Sequence, residues 1–476
     1  MELIGREDEQ RTFKHCLHSS ESKLVAVYGR RRIGKTFLIR KYFGNKIFFE
    51  VAGLYNGEMK DQLLHFTKTL AKSGYYPAAV AAPNNWFAAF DLLALHIDAQ
   101  KDNKKKVIFI DELPWFDTPR SKFLTAFESF WNSYCSKRND LLVVICGSAA
   151  SWMVNKILKN KGGLHNRVSE KIQLKTFTLY ETEKFLLEKN VKWSKYDIAQ
   201  LYFTTGGVPF YLDAVRKDES VVQFVDRACF TPNGVLFNEF DELYESLFYK
   251  SQQHQEIVKQ LSATQQGYTR DQLIEKTKMK SGGTFSKLID ELEQSGFVQK
   301  VSPYTANVNG ALYKLVDNFS IFYFKFMSNG KNRLKDSWTK QIKGQSWVSW
   351  SGFAFERLCF AHIKQIKNAL GLSVIESEIF TWKAKDEERG AQIDMLIERS
   401  DRVINVCEIK FTSSEFRIDK NYAMALRHKM DLFDQLPENK KKNLFLTMIT
   451  SFGTEENMYA KELVRAEVKL DDLFAK

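Results

Sequence analysis

The sequence predicts an α/β chain organised around a parallel sheet, and three stretches carry that prediction. "VAVYGRRRIGKTFLI", residues 25 to 39, reads as a buried strand, a glycine-flanked loop and the start of a helix. "KKKVIFIDELPWF" adds an apolar strand, Val107 to Ile110, that ends on two acids. "AQIDMLIE" and "NVCEIKFT" read as two further strands in the C-terminal third, with charged residues alternating onto one face.

At 476 residues the chain is too long for one hydrophobic core and should divide into about three units. Its 44% hydrophobic and 27% charged residues are those of a soluble protein able to bury large cores. The longest apolar stretch, "LLVVICGSAA", falls short of the roughly 18 residues a membrane span needs. "MELIGREDEQ" lacks the apolar segment of a signal peptide. The cysteines (Cys16, Cys135, Cys146, Cys229, Cys359 and Cys407) show no metal-ligand spacing and read as reduced thiols, which implies a cytoplasmic protein. Lysine and arginine outnumber acids by 70 to 58, a net charge of +12 that favours an anionic partner such as DNA. The excess is spread along the chain, so it marks no particular surface.

Gly29-Arg30-Arg31-Arg32-Ile33-Gly34-Lys35-Thr36 fits GxxxxGK[ST] at every fixed position. The two glycines permit a tight loop whose backbone N–H groups point at phosphate oxygens. The following helix adds the positive end of its dipole. Lys35 reaches the β- and γ-phosphates of ATP, and Thr36 offers its hydroxyl to Mg²⁺. The three arginines occupy variable positions and read as a solvated, anion-friendly rim. After Ile110, Asp111 is assigned to the metal and Glu112 to the general base that deprotonates the attacking water. A third strand, "DLLVVICGSA", ends at Ser148, where a hydroxyl senses the γ-phosphate.

"LIGREDE", "GRRRIGKT", "FIDELPW", "CGSA" and "TGGVPFYL" together resemble the archaeal-type ATPases of the AAA+/STAND superfamily, over roughly residues 2 to 250. The resemblance implies a P-loop ATPase core over 1–165 and a helical lid over 166–250. It implies that Ile4, Gly5 and Arg6 lie near the adenine, and that "GGVP", Gly206 to Pro209, belongs to a lid closing over ATP or ADP. It also implies an arginine finger at Arg167, an ordinary surface arginine being the alternative; a finger acting in trans requires a homo-oligomer.

Residues 251–320 read as helix, helix–turn–helix and hairpin, an order that resembles a winged helix. The second helix of the motif exposes Lys287 and could enter a DNA major groove or serve only in protein packing. In 321–476, Glu408 and Lys410 share one side of a strand and Asp394 lies one hairpin earlier. If the strands pair, the three converge, Asp394 and Glu408 as Mg²⁺ ligands and Lys410 stabilising a phosphate or positioning water, with Glu356 on a preceding helix completing the acids. This resembles the PD-(D/E)XK restriction-endonuclease-like fold, Ile393 standing where the family name has proline. The alternatives are a solvated ion-pair ladder, Glu408 with Lys410 or Lys383, and a decayed nuclease that still binds DNA. "KDNKKK" and "PENKKKN" read as solvated loops before buried strands.

Two functions fit: an ATPase coupling nucleotide state to DNA binding or Mg²⁺-dependent cleavage, and a STAND-like switch whose C-terminal domain is a non-catalytic binding module.

Overall fold

The computed structural model describes residues 3–74, 83–100, 102, 104–159, 162–164, 166–248, 251–302, 304, 311–328, 337–342, 344–384 and 390–476. The chain divides into two compact units. The first comprises Met1–Lys175, Leu247–Tyr249 and Asp290–Gly296; the second comprises Thr176–Ser246, Lys250–Ile289 and Phe297–Lys476.

The first unit contains five strands, β1 (Lys23–Tyr28), β2 (Ile47–Ala52), β3 (Lys106–Asp111), β4 (Leu141–Gly147) and β5 (Glu170–Gln173). They form one parallel sheet in the order β2-β3-β4-β1-β5. Every residue of β3 and β4 is buried, as a parallel sheet covered on both faces requires. The two-residue period of the strands separates two cores. Leu24, Ala26, Ile108, Ile110, Val143 and Ile145 pack with α3 (Met59–Lys72), α4 (Trp86–Asp98) and α5 (Phe123–Ser133). On the other face Val25, Val27, Phe109 and Val144 pack with Phe13 and Cys16 of α1 (Glu7–His18) and Leu38, Ile39 and Phe43 of α2 (Lys35–Phe43).

Register then places the loops. Tyr28 pairs with Gly147 and Ile110 with Ile145, so Gly29, Asp111 and Ser148 leave the sheet side by side at its carboxyl edge. The carboxyl ends of parallel strands are where α/β sheets bind ligands.

The "KDNKKK" reading needs correction at its end; Lys101 and Asn103 lie outside the described residues. Lys106 is the first residue of β3, 5% exposed, with its ammonium 2.7 Å from Asp102 and 3.4 Å from Asp140. Lys105 donates to the carbonyls of Ser19, Glu21 and Asn139. These lysines fasten the entries of neighbouring strands and do not face open solvent.

The second unit opens with helices Leu179–Glu188, Lys195–Thr205, Pro209–Asp213, Val221–Phe230 and Glu239–Leu247. Thr178 with Glu181 and Ser220 with Gln223 form capping boxes that satisfy backbone donors at the first and fourth of these. Gly206 ends the second helix in the left-handed region (φ 61°). Gly207 follows at φ 69°, where a Cβ would sit 2.2 Å from the Phe177 carbonyl oxygen. Three helices, Ser251–Ser262, Arg270–Thr277 and Gly283–Gln294, precede an antiparallel pair, β6 (Val298–Val301) and β7 (Leu312–Leu315). The segment 305–310 joining that pair lies outside the described residues.

The last part is a mixed sheet in the order β12-β11-β10-β9-β8. β8 (Ser377–Ala384), β9 (Ala391–Arg399) and β10 (Val403–Lys410) form an antiparallel meander. Helix Lys420–Asp434 then leads to β11 (Asn443–Thr450), which runs parallel to β10, and β12 (Ala466–Lys469) runs parallel to β11. Phe411, just past β10, stacks on Tyr196 at 4.7 Å and meets Phe203 and Phe355, tying helix Lys195–Thr205 to this sheet. "PENKKKN" is likewise not a solvated loop throughout. Asn439 is fully buried, accepting from the Tyr304 hydroxyl and donating to the Phe433 carbonyl, and Lys442 pairs with Glu398. Among the described residues no helix is long and apolar enough to cross a membrane.

Candidate functional site

The loop after β1 takes its shape from three residues in left-handed or glycine-only conformations: Gly29 (φ 146°), Arg32 (φ 73°) and Gly34 (φ 86°). A Cβ at Gly29 would lie 2.5 Å from the Leu174 carbonyl oxygen, so this position excludes a side chain on both conformation and space. The Lys35 side chain is buried and curls back over the loop, its ammonium donating to the carbonyls of Gly29 (3.0 Å) and Arg30 (2.9 Å). Arg30 is only 7% exposed, which corrects the solvated-rim reading at that position; Arg31 and Arg32 are half-buried. Ile33 is buried in the core beneath the loop.

A chain of hydrogen bonds connects the first turn of α2 to the ends of β3 and β4. The Thr36 hydroxyl donates to Asp111 Oδ2 at 2.7 Å. Asp111 Oδ1 accepts from the Glu112 backbone N–H at 2.9 Å. Glu112 Oε2 accepts from both the backbone N–H (2.9 Å) and the hydroxyl (2.8 Å) of Ser148. Glu112 itself sits in the left-handed region (φ 45°), an uncommon state for a residue with a side chain. Its backbone and carboxylate are therefore both fixed, with the acid turned toward Ser148. Thr36 and Asp111 present hard oxygen donors beside the phosphate loop, a set that fits Mg²⁺.

Of Ile4, Gly5 and Arg6, it is Arg6 that reaches the same loop. Arg6, 7% exposed and at φ 57°, donates to the carbonyls of Lys175 (2.7 Å) and Ile33 (3.4 Å). Arg167 lies elsewhere. It is exposed, precedes β5, and lines a cleft with Ser20, Ser22, Lys137 and Asn139, the segments that enter β1 and β4. That cleft is at the amino edge of the sheet, opposite the phosphate loop, so Arg167 does not belong to the constellation of its own chain. Pro209 begins its short helix in the second unit, next to the Gly206–Gly207 turn.

The second constellation lies wholly within the C-terminal sheet. Antiparallel register sets Cys407 opposite Met395, and hence Glu408 opposite Asp394. Asp394 Oδ2 accepts from the Ile409 N–H at 2.9 Å. Glu408, 3% exposed, pairs through Oε1 with Lys410 (2.9 Å) and through Oε2 with Lys429 (2.7 Å), and Oε1 also accepts from the Tyr422 hydroxyl. The ion-pair alternative is thus present in geometry, but buried rather than solvated, and Lys383 pairs in register with Gln392 instead. Tyr422 and Lys429 escaped the sequence reading. Their seven-residue spacing places both on one face of helix Lys420–Asp434, and that helix follows β10 directly, which is the signal that could have found them.

The charges here are unequal in their burial. Burial opposes ionisation of Glu408, but Lys410 and Lys429 outweigh it and hold the carboxylate below its ordinary range. Glu356, on helix Gln345–Ala361, is pushed up to about 8 by burial and then by Asp394. Asp394 is raised to about 6 by burial and then by Glu408. A raised carboxyl keeps its proton in the folded chain where the unfolded chain, with a glutamate pKa of about 4.3, has lost it. Stability should therefore fall as pH rises from about 4.5 to 8, and the loss should be complete above the folded value. Glu356→Gln is expected to flatten the decline of the unfolding temperature across that range. Parallel curves for the variant and the parent chain would remove Glu356 as its source.

Asp394 and Glu408 have the right donor atoms for Mg²⁺, but their arrangement does not fit one. Among the described residues no group of three or more His, Cys, Asp or Glu side chains stands ready to hold a metal ion. Both Glu408 oxygens already carry cationic partners.

A parallel sheet with a glycine loop after its central strand, Lys35 and Thr36 opening a helix, and Asp111 at the neighbouring strand end defines a P-loop nucleotide-binding domain. Residues 3–215 match the model of a family described as an ATPase domain predominantly from Archaea, so this segment carries an ATPase domain of that archaeal type. Over 438 residues the chain is 23% identical to an uncharacterised protein of Methanocaldococcus jannaschii, covering 90% of this chain and 92% of that protein. A 44-residue stretch is 36% identical to an uncharacterised ATP-binding protein of the same organism, covering 9% of this chain and 75% of that protein. Among solved structures, a Walker-type ATPase of Pyrococcus abyssi is similar with a TM-score of 0.48 and 16% identity, over 68% of this chain and 96% of that one.

Proposed function

We propose that this protein hydrolyses ATP at the carboxyl edge of its first sheet and couples nucleotide state to a nuclease-like, DNA-engaging C-terminal region. The observation that carries the ATPase reading is the continuous hydrogen-bonded path Thr36–Asp111–Glu112–Ser148 from the first turn of α2 across the ends of β3 and β4. Lys35 exchanges the Gly29 and Arg30 carbonyls for phosphate oxygens and neutralises charge that develops on them. Glu112 accepts the proton of the attacking water, and Ser148 orients its carboxylate. Thr36 and Asp111 would hold Mg²⁺, which supplies positive charge to the phosphate oxygens. Ile4 to Arg6 flank the adenine, and Arg31 and Arg32 attract the polyphosphate.

The finer domain reading is a core to about residue 165, a lid to 250 with Pro209 at its turn, a winged helix over 251–320 exposing Lys287, and a nuclease-like domain over 321–476. Support for the last comes from Glu356, Asp394, Glu408 and Lys410 meeting around an antiparallel meander followed by a helix and a parallel strand. Arg167, exposed at the amino edge, would act as a finger only in trans, in a homo-oligomer, and is otherwise an ordinary surface arginine.

A second reading has its own support. The closed ion pairs of Glu408 favour a STAND-like switch whose C-terminal region binds without chemistry. One assay separates the two: ATP turnover with and without single- and double-stranded DNA, with nicking followed in the same tube. DNA-stimulated turnover with Mg²⁺-dependent nicking lost in Asp394→Ala supports the first. Near-zero turnover with retained nucleotide and no nicking supports the second.

A further inference from the structure

The first sheet has a second opening, at the edge opposite the phosphate loop. The segments that enter β1, β4 and β5 surround a cleft of about 540 Å³. That lies within the roughly 300–1,000 Å³ of small-molecule sites. Apart from Trp131 its walls are polar, so a ligand is held there by charge and hydrogen bonds.

The acceptors around this cleft are already engaged. Lys105 donates to the carbonyls of Ser19, Glu21 and Asn139, and the Ser22 N–H donates to the Arg138 carbonyl. Glu21 pairs with Lys23 at 3.1 Å, and Asp140 pairs with Arg138 at 2.8 Å and Lys106 at 3.4 Å. What remains is mainly donors. Lys137 and Arg167 are exposed and form no ion pair among the described residues. Trp131, 3% exposed on α5, also lines the cleft, and its indole N–H has no acceptor among the described residues. A buried indole N–H ordinarily finds one. We propose that this cleft binds a small organic phosphate, with Lys137 and Arg167 holding the phosphate group.

The charge balance selects that class. A phosphate monoester carries about −1.5 to −2 at neutral pH, enough for two cations, whereas a carboxylate or a phosphodiester carries a single charge. Its oxygens accept several N–H groups at once, and the planar fork of a guanidinium matches them. Lys105, fixed among its three carbonyls, adds a positive charge behind the wall. Asn139 and Asn166, whose amides both donate and accept, suit hydroxyls on the organic part.

The cleft lies in one chain and shares no residue with the phosphate loop, so it stands apart from the ATPase reading and from a finger acting in trans. Ribose 5-phosphate, titrated calorimetrically into nucleotide-free full-length protein, is the test. Lys35→Ala is expected to bind it as the parent does. Lys137→Met and Arg167→Met should each weaken binding at least about tenfold, the scale of one charge-assisted hydrogen bond. Both side chains are exposed, so the fold tolerates either change. Ribose without the phosphate should bind more weakly by a similar factor or more. No binding by the parent at millimolar ligand, or equal affinity in the parent and the double variant, would overturn the proposal. Ribose binding as tightly as its phosphate would overturn it too. Binding lost in Lys35→Ala and kept in both cleft variants would move the ligand to the phosphate loop and leave the cleft without one.

Discussion

Replacing Lys35 with alanine is expected to lower ATP turnover by about 10²–10³-fold or more, the loss typical of removing one preorganised charge from a developing anion. Two effects add in the same direction. The ammonium is the only lysine group the loop itself aims at its own carbonyls, 2.9 and 3.0 Å from Arg30 and Gly29, and those carbonyls lose a buried donor when it goes. The phosphate oxygens lose their point charge at the same time. Nucleotide affinity should therefore fall together with turnover, as read by titration of ATP and by phosphate release. An unchanged affinity and rate would separate the loop from the nucleotide.

Glu112→Gln should behave differently, with ATP bound at near-parental affinity and hydrolysis slowed by about 10²–10⁴-fold, the span of general-base catalysis. The amide keeps an oxygen that can accept from the Ser148 N–H and hydroxyl, so the path across the strand ends survives. What it cannot do is take a proton from water. A trapped, unhydrolysed nucleotide after gel filtration is the expected result. Full turnover in the variant would mean that another group acts as base.

Much of the first site was legible because its chemistry fixes residue identity. Gly29, Gly34, Lys35, Thr36 and Asp111 are each demanded by phosphate or by a hard cation, and the apolar runs before them name their strands. Other features were hidden for physical reasons. β5 has four residues, three of them charged or amide-bearing, and only Ile172 buried, so it offers too short a pattern to read. The burial of Arg30 and Lys106 depends on how a loop turns and where a neighbouring strand begins, which composition does not record. Lys429 meets Glu408 from 21 residues away through a helix packed on the sheet. Local spacing could align Glu408 with Lys410 but could not reveal the second ammonium.

The most direct measurement is a crystal structure of the full chain grown with Mg²⁺ and a non-hydrolysable ATP analogue. The ATPase account predicts that the Lys35 ammonium leaves the Gly29 and Arg30 carbonyls for the β- and γ-phosphates, with Thr36 and Asp111 beside the cation and Glu112 near the γ-phosphate. Lys35 still bonded to those carbonyls, with the analogue bound elsewhere or not at all, would contradict it.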